Sequence, residues 1–195
     1  MQIAELQHSL VTERLRVELP PAEAANAVAA YFSKNRAFHA PFDPPRSPDS
    51  YAVAAWSDRL SFNRIQAETG TGARFFLFSR VETGPCLGHI ALTRVARGAS
   101  QSAHLSYALD EDVVGRGLMR EALVAVLGFA FGTFRLHRVQ ASYLPTNVRS
   151  GRVLRHLGFA VEGYARDYLY IDGAWRDHVL TALYSPHPEP PAIRP

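Results

Sequence analysis

The stretch between residues 104 and 134 limits the fold more than any other part of the chain. Residues 104–109 (HLSYAL) read as a strand, and residues 110–119 (DEDVVGRGLM) follow as a turn carrying Gly115 and Gly117. Directly after it, Met119, Ala122, Leu123, Val126, Leu127, Ala130, Phe131 and Phe134 recur at three- and four-residue spacing, the signature of one apolar helix face. A strand that feeds a long helix through a glycine turn makes an anion site. The first-turn amides have no internal acceptor, the helix dipole favours negative charge there, and glycine lets a ligand approach the backbone. The turn is not a dinucleotide fingerprint, because the third glycine and the alternating parallel context are missing. Nor is it a P-loop, because no Gly-Lys-Ser/Thr follows.

The remaining elements frame this unit. Leu15, Val17 and Leu19 alternate with Arg14, Arg16 and Glu18, the period of a strand with one buried face. Pro20 and Pro21 end it, and an alanine-rich helix is predicted over residues 22–36. Four prolines make residues 39–48 a loop, and a second helix is predicted over residues 49–69, stopped by Gly70 and Gly72. Residues 75–79, 87–95 and 104–109 read as an antiparallel meander, the first gap turning at Thr83, Gly84 and Pro85. After the long helix come a strand over residues 136–143, a short helix over 147–157 and two strands joined at Asp172-Gly173, a strong hairpin signal. The order predicts one α+β domain over residues 1–185, with a proline-rich tail at 186–195 whose plain reading is a solvated terminus.

At 195 residues and 47% hydrophobic, the chain is long and apolar enough to bury a core without staples. The single cysteine, Cys86, forms no internal disulfide, and no apolar run reaches the roughly 18 residues of a membrane helix. A soluble cytoplasmic protein is the expectation. The formal charge of +3 comes without a Lys/Arg block or zinc-finger spacing, so no dedicated DNA binding is expected. Eight histidines lack metal-ligand spacing, so no metal is expected either. Cys86 shows neither a helix start nor a neighbouring base that would activate a thiol.

Thirty residues after the glycine turn, Asn147-Val148-Arg149-Ser150 opens a helix that Leu157-Gly158-Phe159 closes. The VVGRGLM turn, its helix, the next strand, N-x-x-S and L-G-F together resemble the coenzyme A signature of the GNAT acyltransferase superfamily. The element order over residues 10–185 is similar to that fold too. The run from Tyr143 to Pro186, with TERLRVEL and FHAPFDPPR earlier, resembles the RimJ branch of ribosomal-protein N-terminal acetyltransferases.

This resemblance implies a mixed, mostly antiparallel central sheet flanked by helices, with acetyl-CoA as co-substrate. Backbone groups near Tyr107 and Leu109 would pair with the pantetheine arm. The amides of Val114, Gly115, Arg116, Gly117, Leu118 and Met119 would hold the pyrophosphate, and Asn147 would donate to the pantetheine. The superfamily has Gln or Arg three residues before the first glycine, where this chain has Asp112. A carboxylate repels a pyrophosphate unless it points away. Many relatives protonate the leaving thiolate with a tyrosine at the position of Leu154, which closes that route here. The resemblance then points to Ser150 as acid and Glu162 as base. Phe42, Tyr168 and Tyr170 would line an acceptor groove.

The implied reaction is direct acetyl transfer to the N-terminal α-amine of a ribosomal protein, with alanine first, possible on the assembling ribosome. An α-amine of pKa near 8 is easier to deprotonate at neutral pH than lysine by about 3 kcal/mol. Other readings stay open at this point. Ser150 is also placed to bond its own helix backbone, and Glu162 to be a solvated strand carboxylate. The acceptor could instead be a small-molecule amine, or the chain a non-catalytic acetyl-CoA-binding or ribosome-assembly module.

Overall fold

A computed structural model describes residues 6–81 and 84–186. Thr83 and the tail from 187 onward lie outside the described residues. The chain runs through β1 (Ser9–Val11), β2 (Leu15–Glu18), α1 (Ala25–Lys34), α2 (Arg36–His39), α3 (Val53–Thr69), β3 (Ala73–Ser79), β4 (Gly88–Ala96) and β5 (Ser102–Leu109). It continues with α4 (Leu118–Gly132), β6 (Arg138–Tyr143), α5 (Val148–His156), β7 (Ala160–Ile171) and β8 (Ala174–Tyr184). Short 3-10 turns cover Ala22–Ala24, Pro48–Tyr51 and Glu111–Val113.

The strands form one sheet in the order β1-β2-β3-β4-β5-β6-β8-β7. Every neighbouring pair is antiparallel except β5 and β6, which run parallel. Period-two alternation sends successive side chains to opposite faces, and each face has its own core. Leu15, Val17, Phe75, Leu77, Ile90 and Leu92 pack against the apolar stripe of α4, while Phe76 and Phe78 pack against α1 and α3. In that second core Phe32 stacks on Trp56, ring centres 4.6 Å apart. The α+β architecture anticipated from the sequence is the one observed.

Two local differences have physical causes. The three-residue β1 has no alternation of its own and exists through its pairing with β2, Ser9 opposite Glu18. The predicted first helix breaks at Asn35, which is fully buried. Its side chain donates to the Tyr31 carbonyl and to Asp110, each at 2.9 Å, and accepts from the Glu111 amide at 2.9 Å. Tethering to a segment seventy-five residues away overrides local helix propensity.

Candidate active site

The site begins where the sheet opens. β5 and β6 are in register only from Ser102 opposite Arg138 to Leu105 opposite Ala141. Beyond that, Ser106 to Leu109 stay paired with β4 alone, while β6 continues along β8 to Tyr143. The Asp110 amide donates to the Leu87 carbonyl at 2.8 Å, so the antiparallel alternation turns the backbone groups of Tyr107 and Leu109 toward the opening. His39 already donates to the Leu109 carbonyl at 2.8 Å.

The glycine turn closes the top of this opening. Gly115 (φ 80°) and Gly117 (φ 77°) adopt left-handed backbone, which glycine tolerates and other residues resist. Carbonyls in the turn are held by arginines: Arg116 donates to the Asp112 carbonyl at 2.8 Å, and Arg14 to the Arg116 carbonyl at 2.9 Å. Arg14 also pairs with Glu121 on the first turn of α4 at 2.7 Å. The amides of Val114, Gly115, Arg116, Gly117, Leu118 and Met119 have no acceptor among the described residues. They gather at the N-terminus of a 15-residue helix, which fits a pyrophosphate.

Beneath the turn sits a polar hub. Asp110, buried, accepts from Asn35 at 2.9 Å, from Lys34 at 2.7 Å and from the Asp112 amide at 3.0 Å. Burial pushes its carboxyl up, but the Asn35, Lys34 and amide bonds outweigh this and hold it below the ordinary carboxylate range. Lys34 also pairs with Asp112 at 2.6 Å. The carboxylate that departs from the superfamily pattern is therefore neutralised by a lysine from α1. Nothing in the sequence near Asp112 signals Lys34 or Asn35, because the contact is made by the fold.

On the far side of the opening, the Asn147 side-chain oxygen caps α5 by accepting from the Ser150 amide at 3.1 Å. Its amide group is left for other partners. The Ser150 hydroxyl shares a 2.8 Å hydrogen bond with the Tyr107 hydroxyl, which also lies 3.3 Å from the Ser150 carbonyl. Serine and tyrosine thus meet across the mouth between β5 and α5. Burial is the main cause that pushes the Tyr107 hydroxyl up to about 12, so it stays protonated through the physiological range. Tyr143 completes the wall: a Cβ on Gly151 would come within 2.8 Å of its ring, so α5 sits this close because residue 151 is glycine. Leu154, in the position of the missing tyrosine, is buried in the core. The Tyr107 side chain was missed by sequence reasoning, which used only its backbone. Its place on the strand leading into the turn was the available signal.

Glu162 is elsewhere. Both its carboxylate oxygens are held by the Arg138 guanidinium, one at 2.6 Å, and Tyr184 donates to it as well. The Arg138 and Tyr184 bonds hold the Glu162 carboxyl far below its usual range, at about 2. Arg138 begins β6 and Tyr143 ends it, so the carboxylate is drawn toward the strand end away from the opening. No contact joins it to Ser150. Phe42, exposed, lies in the turn after α2, Tyr168 packs on His178 with ring centres 5.3 Å apart, and Tyr170 meets Trp175 near the β7–β8 tip. No contact joins these three aromatics either. Cys86 is buried, its thiol pushed up to about 12 by burial. Among the described residues no cluster of three metal-ligating side chains occurs.

Residues 14–160 match the family model of the acetyltransferase (GNAT) domain. The chain is 40% identical over 177 residues to the [ribosomal protein uS5]-alanine N-acetyltransferase of Escherichia coli, covering 91% of each. The solved ribosomal-protein-S5-alanine acetyltransferase of Vibrio fischeri superposes with a TM-score of 0.90 at 33% identity, covering 94% of this chain and all of that one. Mycobacterium smegmatis RimJ in complex with CoA-disulfide superposes with a TM-score of 0.82 at 28% identity, covering 91% and 87%.

Proposed function

Because this chain belongs to the GNAT acetyltransferase family and is an acetyl-CoA-dependent N-acetyltransferase, we propose that its acceptor is the N-terminal alanine of ribosomal protein uS5. The observation that carries this reading is the near-full-length similarity to an enzyme of that specificity. The location that follows is the cytoplasm, where ribosomal proteins are made. Among the described residues no helix is long and apolar enough to cross a membrane.

Acetyl-CoA supplies an activated thioester carbonyl. The residues present fit it: the amides of Val114, Gly115, Arg116, Gly117, Leu118 and Met119 lack protein acceptors among the described residues, and the nearby carboxylate is masked by Lys34. These amides would hold the pyrophosphate, and the Tyr107 and Leu109 backbone with the Asn147 amide group would hold the pantetheine. Ser150 would pass a proton to the departing sulfur and regain the one that the attacking nitrogen sheds, and the Tyr107 hydroxyl orients Ser150. Glu162 is tied to Arg138 and Tyr184, and at about 2 it is too weak a base to take a proton from an ammonium group. We therefore assign it to bracing β6, β7 and β8; an α-amine with pKa near 8 needs no protein base, because about a tenth of it is already neutral at pH 7. Phe42, Tyr168 and Tyr170 remain the aromatic groups proposed to line the acceptor groove.

The acceptor test compares a peptide with a free N-terminal alanine and an internal lysine against the same peptide with its N-terminus blocked. Acetylation of the first and not the second supports the α-amine. Equal acetylation would transfer the activity to lysine.

A further inference from the structure

A cavity of about 300 Å³ lies between α3 and the ends of β3 and β4, outside the coenzyme site. Arg46, Arg59, Arg74 and Arg94 line it, and no carboxylate does. The charge is only partly compensated by neighbours. Arg46 pairs with Asp43 at 2.7 Å and lies over the Phe32 ring, and Arg59 lies over Trp56. Arg74 and Arg94 donate no side-chain hydrogen bond among the described residues. Asn63 grips only the Arg74 backbone, accepting from its amide at 2.6 Å and donating to its carbonyl at 2.8 Å. Other half-buried arginines are satisfied: Arg97 donates to the Phe134 and Gly70 carbonyls at 2.6 and 2.7 Å, and Arg138 holds Glu162. Burial first, then the charges of Arg46 and Arg59, pull the Arg74 guanidinium down to about 10, with Asp43 opposing.

A half-buried guanidinium with like charges beside it and no hydrogen-bond partner, as at Arg74, is costly unless an anion is supplied from outside. Arg94 owes its place to an irregularity in β4, where register shifts between Thr93 and Ala96 and Arg94 adopts φ 50°. The cavity also bears a fixed relation to the opening between β5 and β6. Arg74 is opposite Ala91, and Ala91 opposite Ser106, the exposed residue at which β5 leaves β6. Two strand spacings separate Arg74 from Ser106, about 10 Å. An extended chain advances roughly 3.3 Å per residue, so this is the reach of about three residues. The loop that carries Phe42 contributes Arg46 to the cavity wall.

We propose that this arginine-lined cavity is an acceptor subsite that takes an acidic side chain about three residues downstream of the amine being acetylated. The proposal rests on the reading of the acceptor as a polypeptide N-terminus and adds a sequence requirement to it. Guanidiniums bind carboxylates bidentately, and Arg59, Arg74 and Arg94, which no carboxylate pairs among the described residues, favour an acidic residue over a neutral one and repel a basic one there.

The test uses alanine-first peptides, neutral apart from one glutamate moved from position 2 to position 8, with kcat and KM measured for each. The expected result is a KM at least tenfold below that of the all-neutral peptide when glutamate stands at position 4 or 5, with kcat unchanged. Arg74→Gln and Arg94→Gln should bring the ratio of neutral to acidic KM toward one. Arg94 is exposed, so its variant serves if Arg74→Gln does not fold. Arg94→Glu should abolish the glutamate preference more completely than Arg94→Gln, by pairing with the remaining arginines from within. A KM independent of glutamate position, in peptides that are turned over, would overturn the subsite and leave the acceptor reading intact. Loss of affinity for a short RNA in these variants, without glutamate dependence, would assign the arginines to phosphate and also overturn it. No acetylation of any peptide would remove the acceptor reading and the subsite together.

Discussion

A serine hydroxyl that bonds only its own helix and one that meets a tyrosine across an open sheet respond differently to removal. Ser150 meets Tyr107 at 2.8 Å, so Ser150→Ala is expected to lower kcat roughly 10- to 100-fold, with acetyl-CoA affinity nearly kept. A purely structural hydroxyl would instead cost about 1 kcal/mol of stability and leave turnover intact. Tyr107→Phe should lower kcat in the same direction but by less, because the Ser150 proton remains. Steady-state kinetics and calorimetry on both variants separate these outcomes. Glu162 yields a pH prediction. Its carboxyl is held at about 2, so it is ionised on both sides of neutrality and does not titrate between pH 5 and 9. The rise of kcat/KM should therefore track the acceptor amine near pH 8, and Glu162→Gln should not move it. A limb that shifts in that variant would restore Glu162 as the base. Cys86, with its thiol raised to about 12, should be replaceable by serine with turnover within a few-fold, and intact mass should show no acetyl group on the free enzyme.

The glycine turn and α4 act as a unit whose conformation depends on distant groups. Gly117→Asp adds a carboxylate and a strained positive φ, so acetyl-CoA affinity should fall at least tenfold by calorimetry while the melting temperature changes little. Asn35→Ala should do the reverse, removing bonds to the buried Asp110 and to the Glu111 amide and costing about 1–3 kcal/mol in denaturant unfolding. Asp110 has a depressed folded-state pKa, so its contribution is present above the ordinary carboxylate value near 3.9 and is lost as pH falls through the folded value. Melting temperature in the parent should then drop more steeply below about pH 4 than in Asp110→Asn. The turn, α4, α5 and the β7–β8 hairpin were legible in the sequence because each carries a local signal: paired glycines, a 3,4 apolar period, an Asn cap, an Asp-Gly turn. β1, the break at Asn35 and the Lys34–Asp112 pair were not, because they arise from contacts between segments far apart in sequence. The Tyr107 hydroxyl stayed hidden for the same reason, since only the fold brings β5 against the start of α5.

At the scale of the molecule, one sheet separates two tasks. The α4 face and its turn would receive the coenzyme, and the opening between β5 and β6 leads to the face of α1 and α3, where the acceptor would lie. A small polycationic acceptor would call for an acidic pocket, whereas the cavity beside the proposed acceptor loop is lined by arginines. A module that only binds acetyl-CoA would not need a serine and a tyrosine joined at the mouth of the opening. The account's central claim is α-amine acetylation of an alanine-first ribosomal protein. It is tested most directly by incubating the full chain with acetyl-CoA and unmodified uS5, then locating the product by intact-mass and fragment-ion analysis. The account predicts a gain of one acetyl group, confined to the N-terminal alanine and lost in Gly117→Asp. Acetylation at lysine side chains, or none with uS5 while a free polyamine is modified, would contradict it.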